Sequence, residues 1–315
     1  MKSIVTGCAG FIGSHLSERL LDIGHEVIGI DCFTDYYSRK QKEENISEFI
    51  NHEGFTFIED DILNINLEKL IDDVDYIFHQ AAQPGVRFSW GENFEIYTRN
   101  NILATQKILE ACREHKIKKL IYASSSSVYG NIKSLPMKET DTPKPISPYG
   151  VSKLAAEHLC YLYYKNYNVP SISLRYFTVY GPRQRPDMAF YRFISAILTG
   201  DEIEIYGDGN QTRDFTFISD IIDANILAMS SEINNAEVFN IGGGSRKTLN
   251  DIVKIIEDII GKKVRVRYVE KQKGDVRHTY ADISRANEEL GYKPKTGIKN
   301  GLEREIEWLR TIYNL

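Results

Sequence analysis

Short apolar runs alternate with longer amphipathic segments along the first half of the chain. The runs are rich in β-branched and aromatic residues and have the length of buried strands. They cover residues 3–6, 26–30, 56–58, 76–78, 120–123 and 171–174, and helical periodicity covers residues 11–23, 97–115 and 148–168. Strands that alternate with helices in this way predict an α/β fold with a doubly wound parallel sheet and right-handed crossovers.

The pattern changes after about Tyr176. The segment "VYGPRQRPDM" is rich in proline and arginine, and the apolar runs that follow it are shorter and more polar. We therefore expect a smaller C-terminal α/β lobe that shares a cleft with the first domain. The predicted first domain covers residues 1–175 and is rejoined by about 216–245, and the predicted second lobe covers 176–215 and 246–315.

Composition and charge argue against several classes of protein. The 315 residues are 42% hydrophobic and 26% charged, which is enough to bury a large core. A net charge of −5 argues against a nucleic-acid surface, and no apolar run is long enough to span a bilayer. The four cysteines form no CxxC pair and the seven histidines show no metal-binding spacing, so we expect neither a disulfide framework nor a metal site. Because the first residues lack a signal-peptide pattern, we expect a soluble cytoplasmic protein.

The stretch "TGCAGFIGSH" places Gly7, Gly10 and Gly13 directly after a predicted strand and at the start of a helix. Glycines let the backbone approach a pyrophosphate, and the helix N-terminus favours the charge of that group. Phe11 and Ile12 lie within the same turn. The spacing predicts a dinucleotide-binding turn, for which an ordinary tight turn is the alternative.

Acidic residues follow the next two strands. Asp31 ends the second one, in "VIGID", where a carboxylate accepts hydrogen bonds from the adenosine ribose and repels a 2′-phosphate. Asp60 and Asp61 follow the third strand, and we expect them either to hold the adenine amino group or, for one of them, to begin a helix. Together with the glycines, Asp31 predicts a site for NAD rather than NADP.

The stretch "SPYGVSK" predicts a helix start with Ser147 as its N-cap and Pro148 in its first position. Tyr149 and Lys153 then lie four residues apart on one helix face. An ammonium group there, together with a cationic nicotinamide, can lower the pKa of the phenol enough for proton abstraction. The alternative is an ordinary surface tyrosine and lysine.

Four consecutive serines in "YASSSSVYG" follow the strand predicted at 120–123. A run of serines is usually a solvated loop. Here the serines emerge at the carboxyl edge of the sheet, where open α/β folds bind ligands.

These motifs, with "RYFTVYGPRQRPDM", resemble the extended short-chain dehydrogenase/reductase family in its nucleotide-sugar-modifying branch, over essentially the whole chain. The resemblance implies a doubly wound parallel Rossmann sheet that binds NAD and a smaller lobe that binds a nucleotide sugar. It also implies that Ser125, Tyr149 and Lys153 are catalytic. Asn100 matches a position that supports the active site, although a buried asparagine often only satisfies backbone groups.

Relatives that dehydrate a 4-keto sugar carry Asp-Glu just before VYG, and UDP-glucuronate decarboxylases carry Glu there. This chain has Ser126 and Ser127 instead. The resemblance therefore implies chemistry that stops at hydride transfer out and back through a 4-keto intermediate, which is 4-epimerisation. Thr178 and the stretch "AAQPGVR" are similar to UDP-glucuronate 4-epimerases. UDP-glucose 4-epimerase and a non-catalytic NAD-binding module are the alternatives.

A uronate substrate sets a chemical problem, because its 4-keto form is a β-keto acid that can lose carbon dioxide. Loss requires the bond to the carboxylate to align with the ketone π system. Ser126, Ser127 and Thr178 are small donors suited to hold the carboxylate out of that alignment. Arg87 and Arg185 could supply positive charge, and Arg185 could equally contact the diphosphate or lie at the rim.

The second lobe carries the other implied substrate residues. Arg213, in "GNQTRDFTF", resembles a diphosphate-binding arginine, and Asp275, in "KGDVRH", resembles a ribose-binding acid. Arg192 and Arg277 are further candidates for the diphosphate. Structural salt bridges are the alternative for each arginine.

The helices predicted at 97–115 and 148–168 carry apolar residues beyond one narrow stripe. Leu154, Leu159, Leu162 and Tyr163 are examples in the second helix. Similar proteins pair these helices in a four-helix dimer interface, so we expect a homodimer.

Overall fold

The computed structural model describes residues 1–132 and 134–315. The strands are β1 (Lys2–Thr6), β2 (Glu26–Asp31), β3 (Phe55–Glu59), β4 (Tyr76–His79), β5 (Lys119–Ser125), β6 (Ser171–Tyr176), β7 (Thr178–Tyr180), β8 (Ile203–Tyr206), β9 (Thr212–Phe217), β10 (Asn235–Ile241), β11 (Arg246–Thr248) and β12 (Val266–Val269). The α-helices are α1 (Phe11–Asp22), α2 (Arg39–Ile46), α3 (Leu67–Ile71), α4 (Phe94–Tyr97), α5 (Ala104–Arg113), α6 (Pro148–Tyr167), α7 (Ala189–Thr199), α8 (Ile218–Ser230), α9 (Leu249–Ile260), α10 (Ser284–Leu290) and α11 (Ile298–Tyr313).

Within the described residues, seven strands form one sheet in the order β3-β2-β1-β4-β5-β6-β10, with every pairing parallel. Strands β5 and β6 are buried along almost their whole length, which in β5 explains the continuous apolar run of residues 120–123. The order reverses between β1 and β4, and this reversal opens a crevice at the carboxyl edge of the sheet. The predicted doubly wound α/β fold is confirmed.

The chain after β6 builds two small sheets and then returns to the large one. Strand β9 pairs in parallel with β7 and antiparallel with β11, and β8 pairs in parallel with β12. Strand β10 lies at the edge of the large sheet beside β6, and α8 packs against α1. The lobe boundaries proposed from the sequence stay a prediction.

Apolar packing joins the large sheet to the C-terminal elements. One cluster of buried side chains runs from Phe78 and Phe239 in the large sheet to Phe215 and Leu302 beyond it. A second cluster fills the opposite face of the sheet. Because the first cluster is continuous, the crevice between the two parts of the chain is held in shape by packing.

The helix predicted over residues 97–115 is interrupted. A π-helical segment, Thr98–Leu103, connects α4 to α5. Within it, the Asn101 side chain accepts a hydrogen bond from the Gln83 amide at 2.7 Å and donates to the Ser152 hydroxyl at 2.9 Å. These tertiary contacts, which local periodicity does not contain, accompany the widened turn. Such π segments occur frequently at functional sites.

The other predicted elements differ from the structure mainly at their ends. Helix α1 ends one residue earlier than predicted, with Ile23 as its C-cap, and Asn168 ends α6 in the left-handed conformation with φ 56°. In the described part of the chain, no helix combines the length and apolar character that crossing a membrane requires.

Candidate active site

A cleft of about 1170 Å³, partly open to solvent, runs along the carboxyl edge of the large sheet. Every cofactor residue predicted from the sequence lines it: Gly7, Gly10, Phe11, Ile12, Gly13, Asp31, Asp60, Asp61, Asn100, Tyr149 and Lys153. The cleft thus brings together the glycine turn, the ends of β2 and β3, and the start of α6.

The glycine turn forms a cradle for an anionic group. Gly7 has φ +69°, and a Cβ atom there would lie 2.9 Å from Ala81. A Cβ atom at Gly13 would collide with the Gly7 carbonyl. Gly10 is the N-cap of α1 and has no side chain, so amide groups at the helix start are left available to a pyrophosphate. The backbone of this turn fits a dinucleotide.

The Asp31 carboxylate is buried and its orientation is fixed by backbone amides. One oxygen accepts a hydrogen bond from Ala9 at 3.2 Å and the other from Phe33 at 2.9 Å. The Lys42 ammonium group lies 3.8 Å from the carboxylate and donates to the Thr34 carbonyl. A carboxylate oxygen can accept more than one hydrogen bond, so Asp31 retains acceptor capacity for ribose hydroxyls.

The other acidic residues of this region have local partners. One Asp61 oxygen accepts from the Leu63 amide at 2.9 Å and the other pairs with Arg99 at 2.7 Å. Asp60 accepts from the Asp61 amide at 2.7 Å. Asn100 lines the cleft but is only half-buried, whereas its neighbour Asn101 makes the buried hydrogen bonds described above.

The start of α6 packs against the turn that follows β5. Ser147 caps α6 by accepting from the Gly150 amide at 3.1 Å, and Pro148 occupies the first turn. A Cβ atom at Gly150 would overlap the Ser127 carbonyl. At the end of β5, the Ser125 hydroxyl accepts from the Ser127 amide at 3.2 Å. This close contact of backbones brings the serine turn beside Tyr149.

Electrostatics at Tyr149 differ from the expectation that Lys153 lowers its pKa. Burial raises the pKa of Tyr149, and it is the Ser125 hydroxyl and the Arg185 guanidinium that act to lower it. The Lys153 ammonium group instead donates to the Ala123 carbonyl at 2.8 Å. Burial lowers the pKa of Lys153 to about 7, so its charge is itself sensitive to its surroundings.

A second group of predicted residues lies beyond the cleft. Arg87 pairs with Asp275 at 3.0 Å and lies 4.0 Å from the Tyr206 ring centroid, which Arg192 also faces at 5.9 Å. Burial lowers the pKa of Arg213, and Asp275 acts in the opposite direction. The structure therefore groups these three arginines around Asp275 and Tyr206.

Arg277 and Arg185 have carboxylate partners of their own. Arg277 forms a two-fold hydrogen bond with Asp208 at 3.0 and 2.8 Å. Arg185 does the same with Asp187 at 2.9 and 3.1 Å, and it lines the cleft. Arg185 is thus the predicted substrate arginine that lines the cleft with Tyr149, and its charge acts on that residue.

Ser126, Ser127 and Thr178 lie on two adjoining segments. The two serines form a 3₁₀ turn directly after β5, and Thr178 begins β7. Ser125 and Tyr176 are partners in the β5–β6 register, so these segments leave the sheet side by side. All three side chains are half-buried, and a contact with substrate stays a prediction.

Several residues that line the cleft were missed by the sequence reasoning: Cys32, Thr34, Tyr36, Tyr37, Lys42, Gln80, Pro84 and Tyr176. Half of them, namely Cys32, Thr34, Tyr36 and Tyr37, follow Asp31 in the stretch "CFTDYYSRK". The aromatic and basic composition of this stretch, directly after Asp31, was the available signal. Tyr36 donates to Asp187 at 3.3 Å, which connects this stretch to Arg185.

Comparisons with known proteins place the whole chain in one group. A model of the GDP-mannose 4,6 dehydratase family matches residues 4–305. A Bacillus subtilis (strain 168) protein named as an uncharacterized UDP-glucose epimerase is 46% identical, with 99% of each chain covered. UDP-glucuronate 4-epimerase of Thermodesulfobacterium geofontis (strain OPF15) is 39% identical over 97% of this chain and 95% of its own. The crystal structure of Bacillus cereus UDP-glucuronic acid 4-epimerase with UDP-glucuronic acid and NAD has a TM-score of 0.97 at 47% identity, covering 99% of this chain and 100% of that one.

Replacing Asp31 tests the choice of cofactor. We expect Asp31→Asn to lower the ratio of NAD affinity to NADP affinity by about tenfold or more, because a charged acceptor and its repulsion of the 2′-phosphate are lost while Lys42 remains. Calorimetric titration with each dinucleotide measures the ratio. Asp35→Asn, which alters an exposed acid in the same loop, is the control. An unchanged ratio in Asp31→Asn removes this carboxylate from the ribose site.

Proposed function

Because the chain belongs to the GDP-mannose 4,6 dehydratase family of extended short-chain dehydrogenases/reductases, we propose that it is a NAD-dependent 4-epimerase that converts UDP-glucuronate to UDP-galacturonate. One observation carries the proposal. The Ser125 hydroxyl is hydrogen-bonded to Tyr149, which lines the cleft, and the two positions after Ser125 hold hydroxyl groups rather than carboxylates. This arrangement supports proton and hydride transfer without a further acid for elimination.

The chain's own residues have separable tasks in this reaction. Bound NAD supplies the acceptor and donor of hydride. Tyr149 takes the proton from the sugar 4-hydroxyl and later returns it, and Ser125 donates a hydrogen bond to the same oxygen. Lys153 lies one helical turn after Tyr149, and its charge, when present, adds to the effects of Ser125 and Arg185 that favour the ionised form of Tyr149. The cation at Arg185 acts in the same direction.

The serine turn and Thr178 restrain the uronate group. A 4-ketone in the same sugar as the carboxylate invites loss of carbon dioxide when the two are aligned. Neutral hydroxyl donors from Ser126, Ser127 and Thr178 orient the carboxylate without supplying a proton to the ring. Their position beside Ser125, where the two segments leave the sheet, supports this role.

UDP-glucose 4-epimerisation is the second candidate function. It is favoured by the name of the 46% identical Bacillus subtilis protein. The two functions differ in whether the carboxylate at C6 is required. With a substrate that lacks the C6 carboxylate, such as UDP-glucose, the hydroxyls of the serine turn have no charged group of the sugar to bind.

Turnover by the wild type and by Tyr149→Phe tests the proposed function. We expect the purified protein to convert UDP-glucuronate to UDP-galacturonate, and the variant to be slower by at least about a hundredfold because it lacks the proton acceptor. NMR of the products, with UDP-glucose as a parallel substrate, measures both. NAD binding should persist in the variant.

Tyr180→Phe is the matched control, since it removes a phenolic oxygen that is buried without a hydrogen-bond partner among the described residues. Substantial epimerisation by Tyr149→Phe would reject Tyr149 as the base. A wild type that interconverts only UDP-glucose and UDP-galactose would instead replace the uronate by the second candidate.

Substitution at Thr178 tests the restraint on the carboxylate. Thr178→Val keeps the shape of the side chain and deletes a hydroxyl worth on the order of 1 kcal/mol when hydrogen-bonded. We expect the decarboxylated fraction of the product to rise several-fold, measured by chromatography and by released carbon dioxide. Thr178→Ser, which keeps the hydroxyl, should behave like the wild type. Equal carbon dioxide release from both variants would exclude the restraint.

A homodimer through α6 and the preceding helical segment forms part of the proposal. Of the four apolar residues predicted to need a partner, Leu162 is exposed. Tyr163 is buried within the chain, and its hydroxyl is hydrogen-bonded to Glu110 and Gln106. Leu154 and Leu159 pack within the chain. The exposed apolar residues of α6 are Val151, Tyr161, Leu162 and Tyr167. These exposed side chains support an interface with a second copy of the chain. A cytoplasmic location is a separate prediction, which stays untested.

Analytical ultracentrifugation tests the dimer. We expect a dimer at micromolar concentration and a shift towards monomer in Leu162→Asp, because a charge would be buried in the interface. Tyr268→Asp is the control, since Tyr268 is equally exposed but lies on β12. A wild type that sediments only as monomer refutes the interface.

A further inference from the structure

A buried ionic cluster lies behind the catalytic helix. Glu157 follows Lys153 by one turn of α6, and its carboxylate accepts hydrogen bonds from Arg175 of β6 at 2.9 and 2.7 Å. The Ser124 hydroxyl of β5 also donates to Glu157. Glu157 and Arg175 are only 5% and 4% exposed. The cluster therefore joins α6 to two central strands without access to bulk water.

The other groups around Lys153 are uncharged, so Glu157 supplies the negative charge near its ammonium group. Tyr122 on β5 presents its ring to the ammonium group at 5.1 Å. His79 on β4 is fully enclosed, and burial together with the charge of Lys153 lowers its pKa to about 3, so it is neutral. Tyr149, on the same helix as Lys153, is protonated in the chain alone because burial raises its pKa. Among the described residues, Glu157 is the carboxylate whose charge acts on Lys153.

Stability alone does not account for this cluster. A buried ion pair contributes little to stability compared with apolar residues of the same volume, because both charges lose their hydration. The cluster also leaves the Arg175 Nη1 atom buried without a hydrogen-bond partner among the described residues. The charge of Glu157 has a second group on which it acts, the Lys153 ammonium one helical turn before it.

We infer that Glu157, held by Arg175 and Ser124, is a positioning residue that keeps Lys153 in its charged form during epimerisation. The inference rests on the proposed function, since it assigns Lys153 the task described there. Because Ser124 immediately precedes Ser125, the same carboxylate also ties the serine end of β5 to α6.

The direction of the effect follows from the sign of the charge. Lysine is charged below its pKa, and the negative charge of Glu157 opposes the lowering that burial causes. Glu157→Gln removes that charge and leaves Arg175 unpaired, and both changes lower the pKa of Lys153. A charge one helical turn away, at an effective dielectric constant of about 20, changes a pKa by roughly one to two units.

The experiment compares Glu157→Gln with Glu157→Asp, which retains the charge. The dependence of kcat on pH with UDP-glucuronate is measured for each, and an NMR titration of carbon-labelled lysine follows Lys153 directly. We expect the alkaline limb of kcat and the Lys153 titration to move to lower pH by about one unit or more in Glu157→Gln. Both should stay near the wild-type positions in Glu157→Asp.

Glu257→Gln is the matched control, because Glu257 is an ion-paired, mostly buried carboxylate on α9, paired with Lys263 at 2.9 Å. A uniform loss of kcat in Glu157→Gln, with no shift of either titration, would overturn the inference and leave Glu157 a purely structural residue. The NMR titration needs no substrate. Its outcome therefore separates failure of this inference from failure of the proposed function, which wild-type turnover tests. If Glu157→Gln does not fold, Glu157→Asp still tests the inference. Because this variant keeps the charge, a shift of its alkaline limb to lower pH would overturn the inference.

Discussion

An ammonium group without access to bulk water is the constraint on which the site depends. Lys153 is a buried residue of the cleft lining, with one carbonyl acceptor, the Ala123 oxygen, and one aromatic ring against it. Moving a single charge out of water costs several kcal/mol even after relaxation of the protein, so such a lysine tends to lose its proton. The Glu157 carboxylate offsets part of that cost. The charge of Glu157 is in turn balanced by Arg175, which lies on the central strand β6.

Rigid packing makes this electrostatic arrangement useful for catalysis. The Gly150 backbone lies against the Ser127 carbonyl, and the Ser125 hydroxyl holds the turn that contains Ser127. These contacts set the distance between the strand end and the helix start, leaving little freedom for either. The glycine turn at the other end of the cleft is equally close-packed, with Gly13 against Gly7. Catalytic groups held in this way need no reorganisation when the reacting charge develops.

The sequence was sufficient for features that depend on local pattern. The alternation of strands and helices predicts the sheet, because parallel strands buried on both faces leave an unmistakable apolar signal. Gly7, Asp31 and Tyr149 occur in short stretches whose spacing already defines a cleft at the carboxyl edge. Contacts between distant segments were not predictable. The π-helical turn accompanies hydrogen bonds of Asn101 with Gln83 and Ser152, which are distant in the sequence. Tyr163 likewise faces the chain interior, where its hydroxyl donates a hydrogen bond to Glu110.

The arginines that we propose for substrate binding are already paired with carboxylates of the chain. Each of three has an internal carboxylate partner, namely Asp275 for Arg87, Asp208 for Arg277 and Asp187 for Arg185. In the proposed function, a diphosphate or uronate that binds these arginines exchanges one ion pair for another, so the net gain in free energy is the difference between two similar interactions. The remaining affinity is modest for each contact. That suits an epimerase, because the sugar ring must turn over between two hydride transfers while its nucleotide stays bound.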